Sequence, residues 1–216
     1  TFFEQGENLD FDLAAIESQC KRENINVLLV SHLYGKRLAI KPLRELCDSL
    51  DIILLEDSAH LPPFVLDDTP QCSHAQFFTD RKLFAVPYGA SIRVCPEWRI
   101  EFGAYCKTHI AQITKPFAGL DYCKWLLRDA AKNVIRLSGI PWRRSYAELG
   151  IDPLPPFNAV PAILETHLHQ LNGSRFVETR KKNYALLREG VLQQKPDWYV
   201  LECGNAPDVP YQFLLY

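Results

Sequence analysis

Two short apolar runs in the first third of the chain indicate strands of a buried sheet. Residues 25–35 (INVLLVSHLYG) and residues 51–60 (DIILLEDSAH) are each almost continuously apolar before they turn polar. Strands without polar alternation are buried on both faces, which is typical of parallel sheets. Apolar residues at helical spacing between the two runs predict a helix over residues 40–50. The three elements together predict a right-handed βαβ unit.

The rest of the chain favours helices, with two short strands in its middle. Asp12 is a suitable N-cap for a helix that runs to about Lys21. Lys82 lies between the two short strand candidates, and Pro87 and Gly89 mark a turn before the second of them. The strand candidates are residues 77–78 and 90–94, and the further predicted helices are residues 105–113, 120–137, 160–171 and 174–194.

A proline-rich stretch at residues 139–157 interrupts the helical pattern and indicates the approach to a domain boundary. We therefore predict a partial α/β large domain in residues 1–155 and the start of a small α+β domain in residues 156–216. The chain begins with Thr1 and contains no methionine. We expect from this that it is a fragment of a longer protein.

The amino-acid composition narrows the classes of partner that the protein can bind and the cellular compartment in which we expect it. A chain of 216 residues that is 47% apolar can bury a substantial core. A net charge of −2, from 24 basic and 26 acidic residues, gives no field that would attract nucleic acid or an anionic membrane. The seven cysteines form no CxxC pair, and no apolar run approaches the length of about 20 residues that spans a membrane. We therefore expect a cytoplasmic protein with reduced thiols and without nucleic-acid or membrane partners.

Both apolar strands end in side chains that can carry chemistry. Ligands of open parallel sheets collect beyond the carboxyl ends of the strands, so we expect a functional site at this edge. The residues are Ser31, His32 and Tyr34 after the first strand, and Glu56, Asp57 and His60 after the second.

Two uses of this edge are open but poorly supported by the sequence. His32, Asp57 and His60 form a formal set of metal ligands, but no fourth ligand has a supportive spacing, and we expect no metal. A phospho-receiver of the flavodoxin-like type would use Asp57 with a lysine on a later strand. It also needs an acidic pair at the end of the first strand, which VLLVSHLYG lacks.

A third use combines Asp57 with Lys82. A single lysine is usually a surface cation, so Lys82 becomes a candidate only through this combination. A lysine amine can form an imine with an aldehyde cofactor, and an aspartate beside a pyridine nitrogen keeps that ring protonated as an electron sink. Pyridoxal phosphate chemistry needs this pair.

Three segments, in the right order, resemble the DegT/DnrJ/EryC1/StrS family of sugar aminotransferases, which are fold-type I pyridoxal phosphate enzymes. VLLVSHLYGKRLAIKPLRELCDSLDIILLEDSAH is similar to the family's V-H-L-[YF]-G, helix, strand, E-D-A-[AH] region. FFTDRKLFAVPYGASIRV resembles the F-x-x-R-K segment whose lysine holds the cofactor. AILETHLHQLNGSRFVETRKKNYALLREGV resembles the helical pair that opens the family's small domain.

The resemblance implies a three-layer pyridoxal phosphate transferase large domain with a mainly parallel sheet. It implies that Lys82 forms the Schiff base with pyridoxal 5′-phosphate and that Asp57 pairs with the pyridinium nitrogen. His60 would lie near the cofactor ring, and Thr79 would bind the phosphate. The remaining implied contacts are Gln76, at the position of a second phosphate-binding serine, and Asn158, which would reach the cofactor of the neighbouring subunit.

The activity that the resemblance implies is transfer of an amino group from glutamate to a nucleotide-linked keto-sugar by a homodimer. The phosphate-binding turn of the family would precede Thr1. A non-catalytic or regulatory member of the same fold is the main alternative. A dehydratase member would carry histidine at the lysine position, and Lys82 argues against that branch.

Overall fold

The structure is a computed structural model that describes residues 2–3, 11–62, 71–83, 89–110, 119–138 and 173–195. It contains a four-stranded sheet whose strands follow each other in sequence order. The first three strands are parallel, and the fourth is antiparallel to the third. The predicted α/β class with a mainly parallel sheet is therefore confirmed. The strands are β1 (Val27–Ser31), β2 (Ile53–Asp57), β3 (Ala75–Thr79) and β4 (Ala90–Val94).

The first helix, α1 (Leu13–Glu23), has caps at both ends. The Asp12 side chain accepts hydrogen bonds from the main-chain N–H groups of Ala14 and Ala15, at 2.9 and 3.2 Å. These bonds satisfy donors that the first helical turn leaves without an internal partner. At the other end Asn24 takes a left-handed conformation, φ 53°, and its N–H bonds to the Cys20 carbonyl. The prediction of a helix capped by Asp12 is confirmed.

The second helix, α2 (Ile40–Ser49), connects β1 to its parallel neighbour β2 and packs with α1 on one face of the sheet. Its apolar spacing places Leu43 and Cys47 toward the sheet, where both are fully buried. Leu28 and Leu54 meet them from β1 and β2. Burying one such leucine contributes about 1.5–3 kcal/mol, so this cluster is the main core of the described chain.

The opposite face of the sheet is much more exposed. Val27, Leu29, Phe77 and Ile92 keep between 38% and 58% of their surface accessible. Side chains alternate between the two faces along a strand, and paired residues of neighbouring strands share a face. We call the face that carries these four residues the open face.

A short turn follows β1, as the sequence predicted for the polar end of this strand. Residues Leu33–Gly35 form a 3-10 turn, in which Tyr34 has φ 56° and ψ 17° and Gly35 has φ 88°. Leu33 and Tyr34 extend the apolar pattern of the strand in the sequence, but they lie in this turn, after the end of β1. Lys82 lies on the single-turn helix α3 (Asp80–Leu83), directly after β3.

Three further helices follow β4 in the described residues. The helix α4 (Arg99–Tyr105) continues into a π-helical turn over Cys106–Ile110, so it begins earlier than the predicted residues 105–113. The helices α5 (Gly119–Leu137) and α6 (Gly173–Gln194) confirm two predictions to within one residue. None of the described helices combines the length and apolar character that crossing a membrane requires.

The chain divides into two compact units, residues 1–100 with 171–216 and residues 101–170. The predicted boundary between residues 155 and 156 and the predicted helix at 160–171 both lie outside the described residues.

Candidate functional site

Asp57 is the last residue of β2 and lies on the open face at the carboxyl edge of the sheet. Its register partners are Ser31 on β1 and Phe77 on β3. Its Oδ1 accepts a hydrogen bond of 2.9 Å from the N–H of Ala59, which turns the chain away from the strand. The carboxylate is thereby held half-buried at the rim, the position predicted from the sequence.

His60 lies against the turn that follows β1. Its Nδ1 accepts a hydrogen bond of 3.2 Å from the main-chain N–H of Tyr34. The two rings are stacked, with centroids 6.2 Å apart and planes inclined by 27°. Since an N–H group can only donate, Nδ1 carries no proton in this arrangement, and the neutral ring has its proton on Nε2.

The electrostatics of His60 bring Asp57 and Lys82 into the same site. Burial lowers the pKa of His60, the positive charge of Lys82 lowers it further, and the negative charge of Asp57 raises it. Each charge is therefore close enough to His60 to change its proton affinity. The lowered pKa favours the same neutral imidazole that the hydrogen bond from Tyr34 requires.

Lys82 and Thr79 reach this edge from the third strand. Thr79 ends β3 two residues after Phe77, so it shares the open face with Asp57, and it is half-buried. Lys82 follows on α3 with an exposed side chain. The structure thus places Asp57, His60, Thr79 and Lys82 at one edge of the sheet.

Gln76 points elsewhere. It is 4% exposed, and its Nε2 donates to Ser58 Oγ at 3.0 Å and to Glu56 Oε2 at 3.3 Å. Gln76 and Glu56 are register partners on the face opposite to Asp57. Contact of Gln76 with a cofactor phosphate stays a prediction, and the amide would have to leave these partners to make it. Asn158 lies outside the described residues.

Both ring nitrogens of His32 contact other groups of the protein. Its Nε2 lies 2.8 Å from Glu56 Oε2, and its Nδ1 accepts the N–H of Leu38 at 3.1 Å. In the described part of the chain, no three His, Cys, Asp or Glu side chains are grouped as metal ligands. The formal ligand set of His32, Asp57 and His60 is therefore not assembled.

Gly89, directly before β4, holds α3 at its start. The Asp80 N–H donates to the Gly89 carbonyl at 3.0 Å, and Gly89 has φ 136°. A Cβ atom at Gly89 would lie 2.7 Å from Asp80 Oδ2. Burial raises the pKa of Asp80. The sequence indicated a turn at Gly89, but it gave no sign that Asp80 would pack against it two residues before Lys82.

Chemically, the edge combines an accessible primary amine, a half-buried carboxylate and a neutral imidazole. An amine of this kind can attack an aldehyde carbon, and the carboxylate can hold a protonated ring nitrogen by a charge-assisted hydrogen bond. In the tautomer that the Tyr34 N–H selects, the imidazole carries its proton on Nε2. These groups include the amine and the carboxylate that pyridoxal phosphate chemistry needs, as predicted from Lys82 and Asp57 in the sequence.

Comparison with known proteins gives a distant likeness of fold. No protein-family model and no curated protein sequence matches the chain. Among solved structures, the chain is similar to the alanine–glyoxylate aminotransferase from Nostoc sp., with 22% identity and a TM-score of 0.33, over 42% of this chain and 25% of that one. It is also similar to the ureidoglycine–glyoxylate aminotransferase from Bacillus subtilis, with 19% identity and a TM-score of 0.33, over 44% and 26%.

The chain thus spans about a quarter of the length of either enzyme. At so low a TM-score, any function assigned to this chain has to come from its own residues.

Proposed function

We propose that the chain is part of a pyridoxal phosphate-dependent aminotransferase in which Lys82 binds the cofactor covalently. The observation that carries the proposal is the convergence of Asp57, the last residue of β2, and Lys82, which directly follows the neighbouring strand β3, at one edge of the sheet. In keeping with this placement, both charges act on the pKa of His60. This convergence lies at the carboxyl edge of a mainly parallel sheet, where such folds bind ligands. An amine and a carboxylate at one such edge are the two groups that the cofactor needs from its protein.

Three of the described residues would hold the cofactor. The Lys82 Nζ would hold the aldehyde carbon, the Asp57 carboxylate would hold the ring N–H, and the Thr79 hydroxyl would donate to the phosphate. Asn158 of a second subunit belongs to the same proposal. When bound, the cofactor supplies an electron sink that stabilises a carbanion at the α-carbon of an amino acid.

The protein's own contribution is proton transfer and charge. Once an amino donor had displaced it from the aldehyde carbon, the Lys82 Nζ would act as the base that takes a proton from the donor's α-carbon and delivers it to that aldehyde carbon, which requires the uncharged amine. Asp57 keeps its negative charge beside the ring nitrogen and so favours the protonated ring. His60 would lie near the cofactor ring, and the hydrogen bond from the Tyr34 N–H fixes the orientation of its imidazole.

The proposed substrates and the proposed homodimer are based on the resemblance of the sequence to the sugar aminotransferases. We propose glutamate as the amino donor and a nucleotide-linked keto-sugar as the acceptor, used by a cytoplasmic homodimer. Formation of 2-oxoglutarate from glutamate, only when a keto-sugar nucleotide is supplied, would support the substrates. Turnover with glyoxylate but with no keto-sugar nucleotide would contradict the acceptor while leaving amino transfer in place.

The decisive experiment locates the cofactor on the chain. The protein is incubated with pyridoxal phosphate, reduced with borohydride and digested, and the modified peptide is identified by mass spectrometry. We expect a stable adduct on Lys82 and its loss in Lys82→Ala. Lys41 is an exposed lysine of α2, and Lys41→Ala serves as the matched control that should keep the adduct. An undiminished adduct in Lys82→Ala would overturn the proposal.

A further inference from the structure

His32 contacts two separate segments around the site, the end of β2 and the chain beyond the turn, although it is only 2% exposed and lines none of the open face. Its main-chain N–H donates to the carbonyl of Asp57 at 3.0 Å. Its ring contacts Glu56, the residue that precedes Asp57 on β2, and the N–H of Leu38 beyond the turn. The residue directly after β1 therefore holds the end of β2 and closes the segment that contains Tyr34.

The ring of His32 can satisfy these contacts in one tautomer only. The N–H of Leu38 is a donor, so Nδ1 must be the acceptor and the proton must lie on Nε2. Nε2–H then donates to Glu56 Oε2, which also accepts a hydrogen bond from Gln76. The other tautomer would place two hydrogens between Nδ1 and the Leu38 nitrogen. It would also leave Nε2 facing a carboxylate oxygen, with neither atom able to donate.

The segment that His32 closes carries backbone strain. Tyr34 has positive φ in the left-handed region, which is unfavourable for an aromatic residue and persists only when surrounding contacts impose it. The Lys36 N–H bonds to the Leu33 carbonyl at 2.9 Å inside the turn. The bond between Leu38 and His32 then ties the outgoing chain to the residue that directly follows β1. In this conformation the Tyr34 N–H reaches His60 Nδ1.

We propose that His32, with its proton on Nε2, is a positioning residue that fixes Asp57 and His60 relative to each other. It acts on Asp57 through β2 and on His60 through the strained turn at Tyr34. This inference about His32 rests on the proposed function in one respect, because the proposed function assigns Asp57 and His60 to the cofactor. The placement itself is a property of the cofactor-free chain.

Two substitutions separate the two ring contacts of His32. In His32→Gln the amide can still donate to Glu56, but the N–H of Leu38 loses its acceptor. In His32→Asn the side-chain oxygen can take the place of Nδ1, and the donor to Glu56 is lost. His74 provides a matched control: it is a histidine at the other end of β3 whose Nδ1 likewise accepts a main-chain N–H, from Leu54 at 3.0 Å.

The experiment is nuclear magnetic resonance on the full chain without cofactor. In the wild-type protein we expect ring nitrogen shifts that show His32 protonated on Nε2 alone. In His32→Gln we expect hydrogen exchange of the Tyr34 amide to become about tenfold faster, the effect of losing about one hydrogen bond. The pKa of His60 should also rise toward its ordinary value. His32→Asn and His74→Gln should leave both readouts close to wild type.

Three results would overturn the inference: a wild-type His32 ring protonated on Nδ1, unchanged Tyr34 exchange in His32→Gln, or an equal change in His74→Gln. If His32→Gln does not fold, hydrogen exchange of the Tyr34 amide in His32→Asn tests the inference instead. Tyr34 exchange within about twofold of wild type then supports the inference, and a tenfold acceleration contradicts it. None of these measurements involves pyridoxal phosphate, so they are independent of the borohydride experiment on Lys82.

Discussion

The main-chain N–H of Tyr34 donates a hydrogen bond to Nδ1 of His60, 26 positions further along the chain. The bond joins the turn after β1 to the loop after β2 and selects the neutral His60 ring with its proton on Nε2. It also relates the strained backbone of Tyr34 to the charges of Asp57 and Lys82, which act on the same ring. Several measurable consequences of this arrangement concern His60 directly.

Neutral replacements of the two charged neighbours should move the pKa of His60 in opposite directions. Lys82→Gln removes a positive charge that lowers it, so the pKa should rise. Asp57→Asn removes a negative charge that raises it, so the pKa should fall. Titration of the His60 ring signals by nuclear magnetic resonance measures both shifts. Lys41→Gln is the surface control and should leave the titration unchanged, and shifts of the same sign in the first two variants would contradict the geometry.

The lowered pKa of His60 also predicts how stability depends on pH. The folded chain binds a proton at His60 less readily than the unfolded chain, whose histidine has its ordinary pKa. The contribution of this residue to stability is therefore fully present above that ordinary pKa and is lost as the pH falls through the folded value. His60→Gln should lose less stability than wild type between pH 7 and pH 5 in urea unfolding experiments. Parallel pH profiles would contradict the prediction.

Alanine at Gly89 should destabilise the chain and disturb α3. The added Cβ would approach Asp80 Oδ2 to 2.7 Å, and φ 136° is unfavourable for any residue with a side chain. Strain of this kind costs about 1–3 kcal/mol, measurable by urea unfolding. Gly103 lies inside α4 with no atom within 4 Å of an added Cβ. Gly103→Ala is therefore the matched control, with a gain of up to about 1 kcal/mol from helix propensity.

The cysteines should differ sharply in their reactivity. Cys47 is fully buried, and burial raises the pKa of its thiol to about 11. Because the thiolate is the reactive form, only about one thiol in a thousand is ionised at pH 8. Iodoacetamide should modify the exposed Cys123 in the native protein and reach Cys47 only after denaturation. Mass spectrometry of the digested protein reads both sites, and equal labelling of the two in the native state would rule out the buried α1–α2 core.

Loss of the Asp12 cap should weaken α1. Asp12→Ala removes the acceptor for two main-chain N–H groups of the first turn, and we expect a loss of about 1 kcal/mol in the free energy of unfolding. Ser18 is exposed in the middle of the same helix, so Ser18→Ala tests helix propensity without a cap. It should be neutral or slightly stabilising. An Asp12→Ala variant as stable as wild type would mean that the cap contributes nothing.

The sequence by itself determined most of the described elements and predicted that Asp57 and Lys82 lie at one edge of the sheet. Continuous apolar runs predicted β1 and β2, and helical spacing gave α5 and α6 almost to the residue. Asp57 and Lys82 could be selected because each follows a strand, and the carboxyl ends of parallel strands meet at one edge. These features depend on local periodicity and strand direction, which the sequence records directly.

Only the tertiary structure decided how the site is built. It showed that the Gln76 side chain bonds to Glu56 on the face opposite to Asp57. It also showed that the His32 ring contacts Glu56 and that the Tyr34 N–H donates to His60. Each of these hydrogen bonds joins residues 20 to 26 positions apart. Such contacts depend on the register between neighbouring strands and on a turn with positive φ. The local pattern of polar and apolar residues specifies neither, because each is fixed only when the whole sheet packs.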